Sequence, residues 1–270
     1  MSDRAGIAAS SSSRPRRWRG FVVPGLLIVA WGLASALGVG NPALLVPIGL
    51  VLQAGFELIT SGELLGALGA TILRALIGWS IGSLLGFLLG MLLGLSNWGQ
   101  RIAGPSLHGA RQIALFAWIP LLSAWLGNGE EMKTALIALS AFFPVLLNVE
   151  AGCRNVPLPY REVGRLLGFD RTSEIVYIIL PAAAPTIISG LELAFAISWI
   201  GTIGAEYLIG TGYMNAMADG IGGFLAAARE NARMDFVVVA ILTLGVAGFA
   251  LDRLVVLTSR RVLAWRTQSR

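Results

Sequence analysis

The 270-residue sequence has one cysteine, Cys153, one histidine, His108, and one lysine, Lys133. A lone cysteine excludes an internal disulfide and a cysteine-cluster metal site, and a lone histidine excludes a multi-histidine centre. Cys153 reads as a small buried thiol and His108 as a loop imidazole. The lysine count excludes a third chemistry: a nucleotide-binding glycine loop needs lysine within G-x4-G-K-[ST], and Lys133 does not stand in that motif. Any ATP-driven step must come from another chain, and no metal or nucleotide cofactor is expected here. A membrane enzyme would need a nucleophile with its base, or a metal cluster, inside the apolar region; a single loop histidine argues against one. Charge is scarce as well, with 13% charged residues against 56% hydrophobic ones. With a mean hydropathy of +0.75, this composition describes an all-α, polytopic membrane protein. The net charge of +5 then reflects orientation in the membrane rather than nucleic-acid binding.

What is present is a series of apolar segments. After a Ser- and Arg-rich start, Phe21 to Leu37 reads as a first transmembrane helix, short by the usual standard of about 20 residues. A cleaved signal peptide is the alternative, with Ala34-Ser35-Ala36 as a small-residue site. Gly38 to Glu63 carries no Lys or Arg and is expected outside. Leu64 to Leu95 is longer than one span needs, so its first turns, to about Arg74, are expected at the outer interface, where Arg74 can snorkel or pair. Ser96 to Arg111 returns to the cytoplasm, a third helix runs to about Leu126 across Pro120, and a fourth spans Met132 to about Glu150. The fifth continues from Pro181 to about Ile209, and Phe236 to Thr258 forms the sixth. Lys133, Arg229 and Arg233 fall outside and Arg74 near the outer surface, while the other Lys and Arg fall inside. Both termini are therefore expected in the cytoplasm.

Within the second helix, Gly78, Gly82, Gly86, Gly90 and Gly94 recur every four residues. A stripe without side chains lets another helix approach closely enough to gain dispersion contacts that lipid does not supply. It is expected to be a packing face, with a glycine-lined pore as the lesser reading.

The stretch from Arg154 to Leu191 is the one arginine-rich insert with an internal pattern. Glu162, Gly168, Ile178 and Leu180-Pro181 give the spacing E-x5-G-x9-I-x-L-P. Tyr160 to Leu167 reads as a short amphipathic helix with Val163, Leu166 and Leu167 on one face and Arg161 and Arg165 on another. Pro157 and Pro159 stop the incoming helix, and Gly168 ends the short one as a left-handed cap. This pattern resembles the EAA loop of the membrane-spanning subunits of ABC importers, although Val163-Gly164 stand where the family often has Ala-Ala. The segments AWIPLLSAWLG (Ala117 to Gly127) and FFPVLLN (Phe142 to Asn148) are similar to the branch that imports sulfonates, taurine, nitrate and related anions; that branch usually has Pro where this chain has Ala114.

The resemblance implies a type I ABC importer permease in a bacterial inner membrane. It implies a second copy of the permease, two ABC ATPase subunits that bind the ATP, an extracytoplasmic substrate-binding protein and surrounding lipid. The organisation expected is a basic cytoplasmic segment at 1–20, a transmembrane permease domain at 21–259 with its cytoplasmic coupling loop at 154–181, and a basic tail at 260–270. ATPase coupling is assigned to Arg161, Glu162, Arg165, Leu166, Gly168 and Pro181. On the fifth helix Glu192, Trp199 and Glu206, seven residues apart, share one face and are expected along the translocation pathway, as gates or helix partners rather than as anion ligands. The external stretch Tyr207 to Asp235, with glycines at 220, 222 and 223, is longer than the branch's usual loop. It reads as a contact for the binding protein, a re-entrant gate or a surface helix. Nitrate, bicarbonate, an aromatic carboxylate or a thiamine-precursor-like compound are alternative cargoes. An ion-coupled carrier is the rival class, but it calls for two similar halves, and no internal repeat is found.

Overall fold

The computed structural model of the chain describes residues 19–38, 46–209 and 216–262. The start of the basic N-terminal segment, the end of the tail and the Gly210–Tyr213 loop lie outside them. The chain divides into two compact units, one ending at Gln53 and one beginning at Ala54. The first contains α1 (Arg19–Ala36), at the place of the expected first span; its apolar run, Gly25–Ser35, is shorter than a full crossing. A helix that the sequence did not suggest, α2 (Ile48–Thr60), occupies the expected external connection.

The described residues of the second unit form helices joined by short turns, with no strand among them. Long apolar helices α3 (Glu63–Leu95) and α6 (Glu130–Arg154), the run Arg171–Ile209 and α11 (Met234–Val262) can each cross a membrane by length and hydropathy. The third expected span takes a different form. Ser96 ends α3 and its hydroxyl accepts from the Gly99 amide at 3.1 Å, so a new helix, α4 (Asn97–Ala110), starts at once where a loop was expected. Its apolar continuation is a 3-10 turn, Leu115–Trp118, and the short α5 (Ile119–Leu126). The two halves are bent by 99° and together make a fifth crossing if they act as one. Pro120 sits in the first turn of α5, where its missing N–H is harmless, so it starts that helix instead of interrupting one.

The glycine ridge of α3 lies against α6. A Cβ on Gly86 would stand 2.5 Å from the Phe142 carbonyl oxygen, one on Gly90 2.6 Å from that of Leu146, and one on Gly94 2.7 Å from Cys153 Cβ; at Gly82 it would overlap the Ala138 carbonyl. The contacts step four residues on each helix, so α3 and α6 run parallel and nearly in register. Helix α9 (Leu180–Ile209) runs antiparallel to both: Gly190 abuts Asn148 and Gly201 abuts Ser140, while Trp79 donates to the Leu191 carbonyl at 3.2 Å. Short residues at these crossings bring the backbones close enough for packing to hold the helices together in lipid. The buried Cys153 sits in this core as expected.

The connection from α6 to α9 carries α7 (Leu158–Leu166) and the four-residue α8 (Arg171–Glu174). A single π turn, Ile175–Ile179, leads into α9, with the Leu180 amide bonded back to the Ile175 carbonyl. The wider turn immediately precedes Pro181, whose ring would otherwise crowd the carbonyl four residues back. On the other side of the bundle, α10 (Ala216–Glu230) leads to α11, which runs back along α9.

Candidate coupling surface, ion cluster and cleft

The short helix α7 is the clearest surface feature. Its C-terminus is a Schellman cap: the Phe169 amide bonds to the Gly164 carbonyl at 3.0 Å and the Gly168 amide to that of Arg165 at 3.1 Å. Gly168 has φ +72°, which glycine adopts without the steric penalty other residues incur. Gly164, the departure from the Ala-Ala pattern, is buried, and a Cβ there would collide with Ile178 Cδ1. Gly164 and the isoleucine of the motif, Ile178, are thus one packing pair. Arg161 is half-buried and donates to the Cys153 carbonyl at 2.9 Å, so it ties α7 to the C-terminal end of α6, where a cation is also favoured by the helix dipole.

With Arg161 used for positioning, Glu162, Arg165 and Gly168 remain exposed, as do Val163, Leu166 and Leu167, Leu166 at 86%. Apolar groups grouped beside charges on a short helix are the mark of a protein-binding surface. Asp170 N-caps α8 by accepting from the Ser173 amide at 3.1 Å, and its hydrogen bonds with Ser173 hold its carboxyl below the usual carboxylate range. Pro181 is exposed at the start of α9.

At the opposite end of the bundle lies an ion cluster, buried apart from the exposed Glu130 side chain. Arg74, 7% exposed, pairs with Glu206, which is fully buried, and donates to Glu130 at 2.7 Å. Lys133 lies 3.1 Å from Glu130 and 3.5 Å from Asp219. Thr71 Oγ1 lies 2.9 Å from Glu206 Oε2. Helix α10 meets the cluster at its internal break: the Ile221 amide donates to Thr71 Oγ1 at 2.8 Å and the Gly222 amide to Glu206 Oε2 at 3.0 Å. Gly220 breaks α10 with φ 77° and ψ 179°, a region open essentially to glycine alone, and a Cβ on it would strike the Glu206 carboxylate. Glu206 therefore caps the helix that begins at Ile221 from another helix, placing an anion where free N–H groups and the dipole favour one. Of the readings open for the Tyr207–Asp235 stretch, the surface helix is not what forms: residues 219–224 are buried against α3 and α9. Nor does α3 turn aside before Arg74. It is continuous from Glu63, because Arg74 finds its counter-charges inside the protein and needs no interface.

The other two residues of the Glu192 face are also held by helix contacts. Glu192 accepts from the Ser259 hydroxyl of α11, and the Trp199 ring lies over Gly248, which has no side chain to obstruct it. A cleft of about 470 Å³ opens on a different side of α9, lined by Leu193 and Ile197 together with Arg111, Leu115, Trp118, Ser140, Phe143 and Asn148. At roughly 100° per residue, Leu193 and Ile197 point away from the mean direction of Glu192, Trp199 and Glu206, nearly to the opposite side. Arg111 and Asn148 were missed as site residues. Arg111 stands in the sequence as the last charge before an apolar run, which also fits an ordinary orientation signal. His108 lies on α4, not in a loop, 3.3 Å from Glu150, with Gln100 3.2 Å from the same carboxyl group.

Residues 82–264 match the family described as "Binding-protein-dependent transport system inner membrane component". The chain belongs to this family. It is therefore a multi-pass inner-membrane permease, a transport subunit whose family works with a substrate-binding protein and an ATPase. Among its relatives, proteins named as aliphatic sulfonates transport permeases are 37% identical, in Bacillus subtilis over 92% of this chain and 87% of that protein, and in Escherichia coli over 93% and 94%. A taurine transport system permease of Escherichia coli is 28% identical over 89% of this chain and 86% of its own. The family match covers the glycine ridge from Gly82, the short helix α7, α9 and all of α11, the elements that shape both candidate surfaces.

Proposed function

We propose that this permease carries a small organic anion, an aliphatic sulfonate or taurine, inward across the membrane, driven by ATP bound on a separate subunit. Two copies pair, two ATPases dock on their α7 helices, and an extracytoplasmic binding protein delivers the cargo to the side of the ion cluster. Both termini and α7 then face the cytoplasm, in keeping with the arginines around the coupling loop and tail. The observation that carries this reading is α7 itself, an exposed Glu162–Val163–Arg165–Leu166–Leu167 surface held in a defined pose by the Gly168 cap and the Arg161 contact. The cargo reading is supported by the relatives' names and their near full-length similarity.

In this reading, closure of the ATPases pulls on α7. Because Arg161 ties α7 to α6, and Gly164 packs on the Ile178 turn that leads into α9, the pull reaches both helices as a rigid-body movement. The path runs along the Leu193–Ile197 side of α9. Glu192, Trp199 and Glu206 act from behind it, fixing α9 to α11 and α3 while the cleft opens and closes.

The test has two parts. Glu162→Lys and Leu166→Asp should leave the permease inserted but abolish co-purification of the ATPase; retention of a stoichiometric ATPase by both variants would refute the docking surface. A strain lacking the chain should lose growth on taurine or alkanesulfonates as sole sulfur source and keep it on nitrate as sole nitrogen source. Loss on nitrate alone would transfer the cargo reading to inorganic anions.

A further inference from the structure

The cleft beside α9 is walled mainly by apolar side chains, yet it holds one cation. Arg111, at the C-terminal cap of α4, is exposed on its lining. Its guanidinium makes no hydrogen bond or ion pair among the described residues, and no Asp or Glu lines the cleft. Two other arginines near helix ends are committed, Arg74 to Glu206 and Glu130 and Arg161 to the end of α6, and no described arginine besides Arg111 lines the cleft. Asn148, on the facing helix, donates one amide N–H to the Pro144 carbonyl at 2.8 Å and keeps the other. Phe143, Leu147, Leu193 and Ile197 complete the wall between Arg111 and the Ser140 end.

We propose that Arg111, assisted by the Asn148 amide, is the anion-selecting contact of the translocation path, and that the Phe143–Leu147–Leu193–Ile197 wall takes the alkyl chain of an alkanesulfonate. This rests on the importer reading and adds to it a site on the permease itself. A guanidinium presents several N–H donors in one plane and matches a multi-oxygen anion better than a point charge does. A headgroup seated there would leave its tail against carbon instead of water, a gain that grows with each CH2 buried. A bare inorganic anion has no tail and gains only the charge contact. A single cation, with no second one behind it, also keeps the site weak enough for release, which conduction through a path requires.

The experiment uses the full permease with its ATPase and binding protein in liposomes. Uptake of methane-, butane- and hexanesulfonate is measured as the ratio of anion imported to ATP hydrolysed, so that loss of assembly cancels. Arg111→Gln should lower this ratio at least tenfold for all three anions, and Arg111→Lys should keep it within about threefold of the wild type. Leu193→Asn should lower it for hexanesulfonate several times more than for methanesulfonate. An unchanged ratio in Arg111→Gln would overturn the Arg111 assignment while leaving the importer intact. Equal effects of Leu193→Asn on the short and long anions would overturn the alkyl wall. If the wild-type complex imports no sulfonate at all, the cargo reading falls and this site falls with it.

Discussion

Arg74 of α3 and Glu206 of α9 form an ion pair at the end of the bundle away from α7, with 7% and 0% of their side-chain surface exposed. The two residues are 132 positions apart in the chain. Around the pair, Glu206 also takes the Gly222 amide of α10, and Arg74 reaches Glu130 of α6. Four helices therefore meet at one carboxylate and one guanidinium, and what they hold in place is the helix that starts at Ile221.

Removing one partner of this pair is expected to cost more than removing the attraction itself. Arg74→Met leaves the Glu206 carboxylate buried without its counter-charge, a loss of about 3–5 kcal/mol. The double variant Arg74→Met, Glu206→Gln removes both charges and keeps a carbonyl acceptor for the Gly222 amide, so most of that loss should return. Thermal unfolding of the purified permease in detergent measures both. Equal melting temperatures for the single and double variants would show that the pair is not energetically coupled.

The glycine ridge makes a prediction with an internal control. At Gly86 even a methyl group would press on the Phe142 carbonyl, whereas at Gly69 of the same helix nothing lies within 4 Å. Gly86→Ala should destabilise the bundle by about 1–3 kcal/mol through overpacking. Gly69→Ala, in an exposed helix interior, should be neutral or stabilising by up to about 1 kcal/mol. Melting temperatures that move alike in the two variants would remove the ridge as the reason for close α3–α6 contact.

At α7, the proposed ATPase-docking helix, the expected outcome is a rescue. Gly164→Ala drives a methyl group into Ile178 Cδ1, and since that atom ends a flexible side chain the cost should be small, about 1 kcal/mol at the low end of overpacking effects. Ile178→Val deletes the atom in the way, so the pair Gly164→Ala, Ile178→Val should regain wild-type ATPase retention where Gly164→Ala alone loses part of it. Gly168→Ala, by contrast, requires a left-handed backbone at about 1–2 kcal/mol and should not be rescued by Ile178→Val. Affinity of the ATPase for each permease variant separates the two cases.

The short-range chemistry was legible before the structure. Helix α7, its Gly168 stop and the segregation of Val163, Leu166 and Leu167 from the arginines follow from local periodicity and backbone preference, and each appears where expected. The Gly78–Gly94 stripe announced a close helix contact because a four-residue glycine repeat has few other uses in lipid. Even the place of Arg74 had a signal: it stands four residues before Gly78, on the same stripe, and so on the protein-facing side of α3. The new start at Ser96 was equally local, an N-cap serine directly after an apolar run, and was passed over because the following residues are polar enough to read as a loop.

Which partner each face meets was a different matter. A seven-residue repeat places Glu192, Trp199 and Glu206 on one side of α9, but periodicity has no information about what lies opposite that side. The cleft lies beside Leu193 and Ile197 because α3, α10 and α11 cover the Glu192 face. Sequence alone determined that this chain is a bundle of membrane helices with a short, glycine-capped amphipathic helix between two of them, since hydropathy, glycine spacing and turn chemistry act over a few residues. Only the tertiary structure decided that Glu206, paired with Arg74, caps the Ile221 start within α10 alongside Thr71 and that Arg111 is left facing an apolar cleft. Those relationships depend on contacts between residues far apart in the chain, and they exist only once the helices have packed.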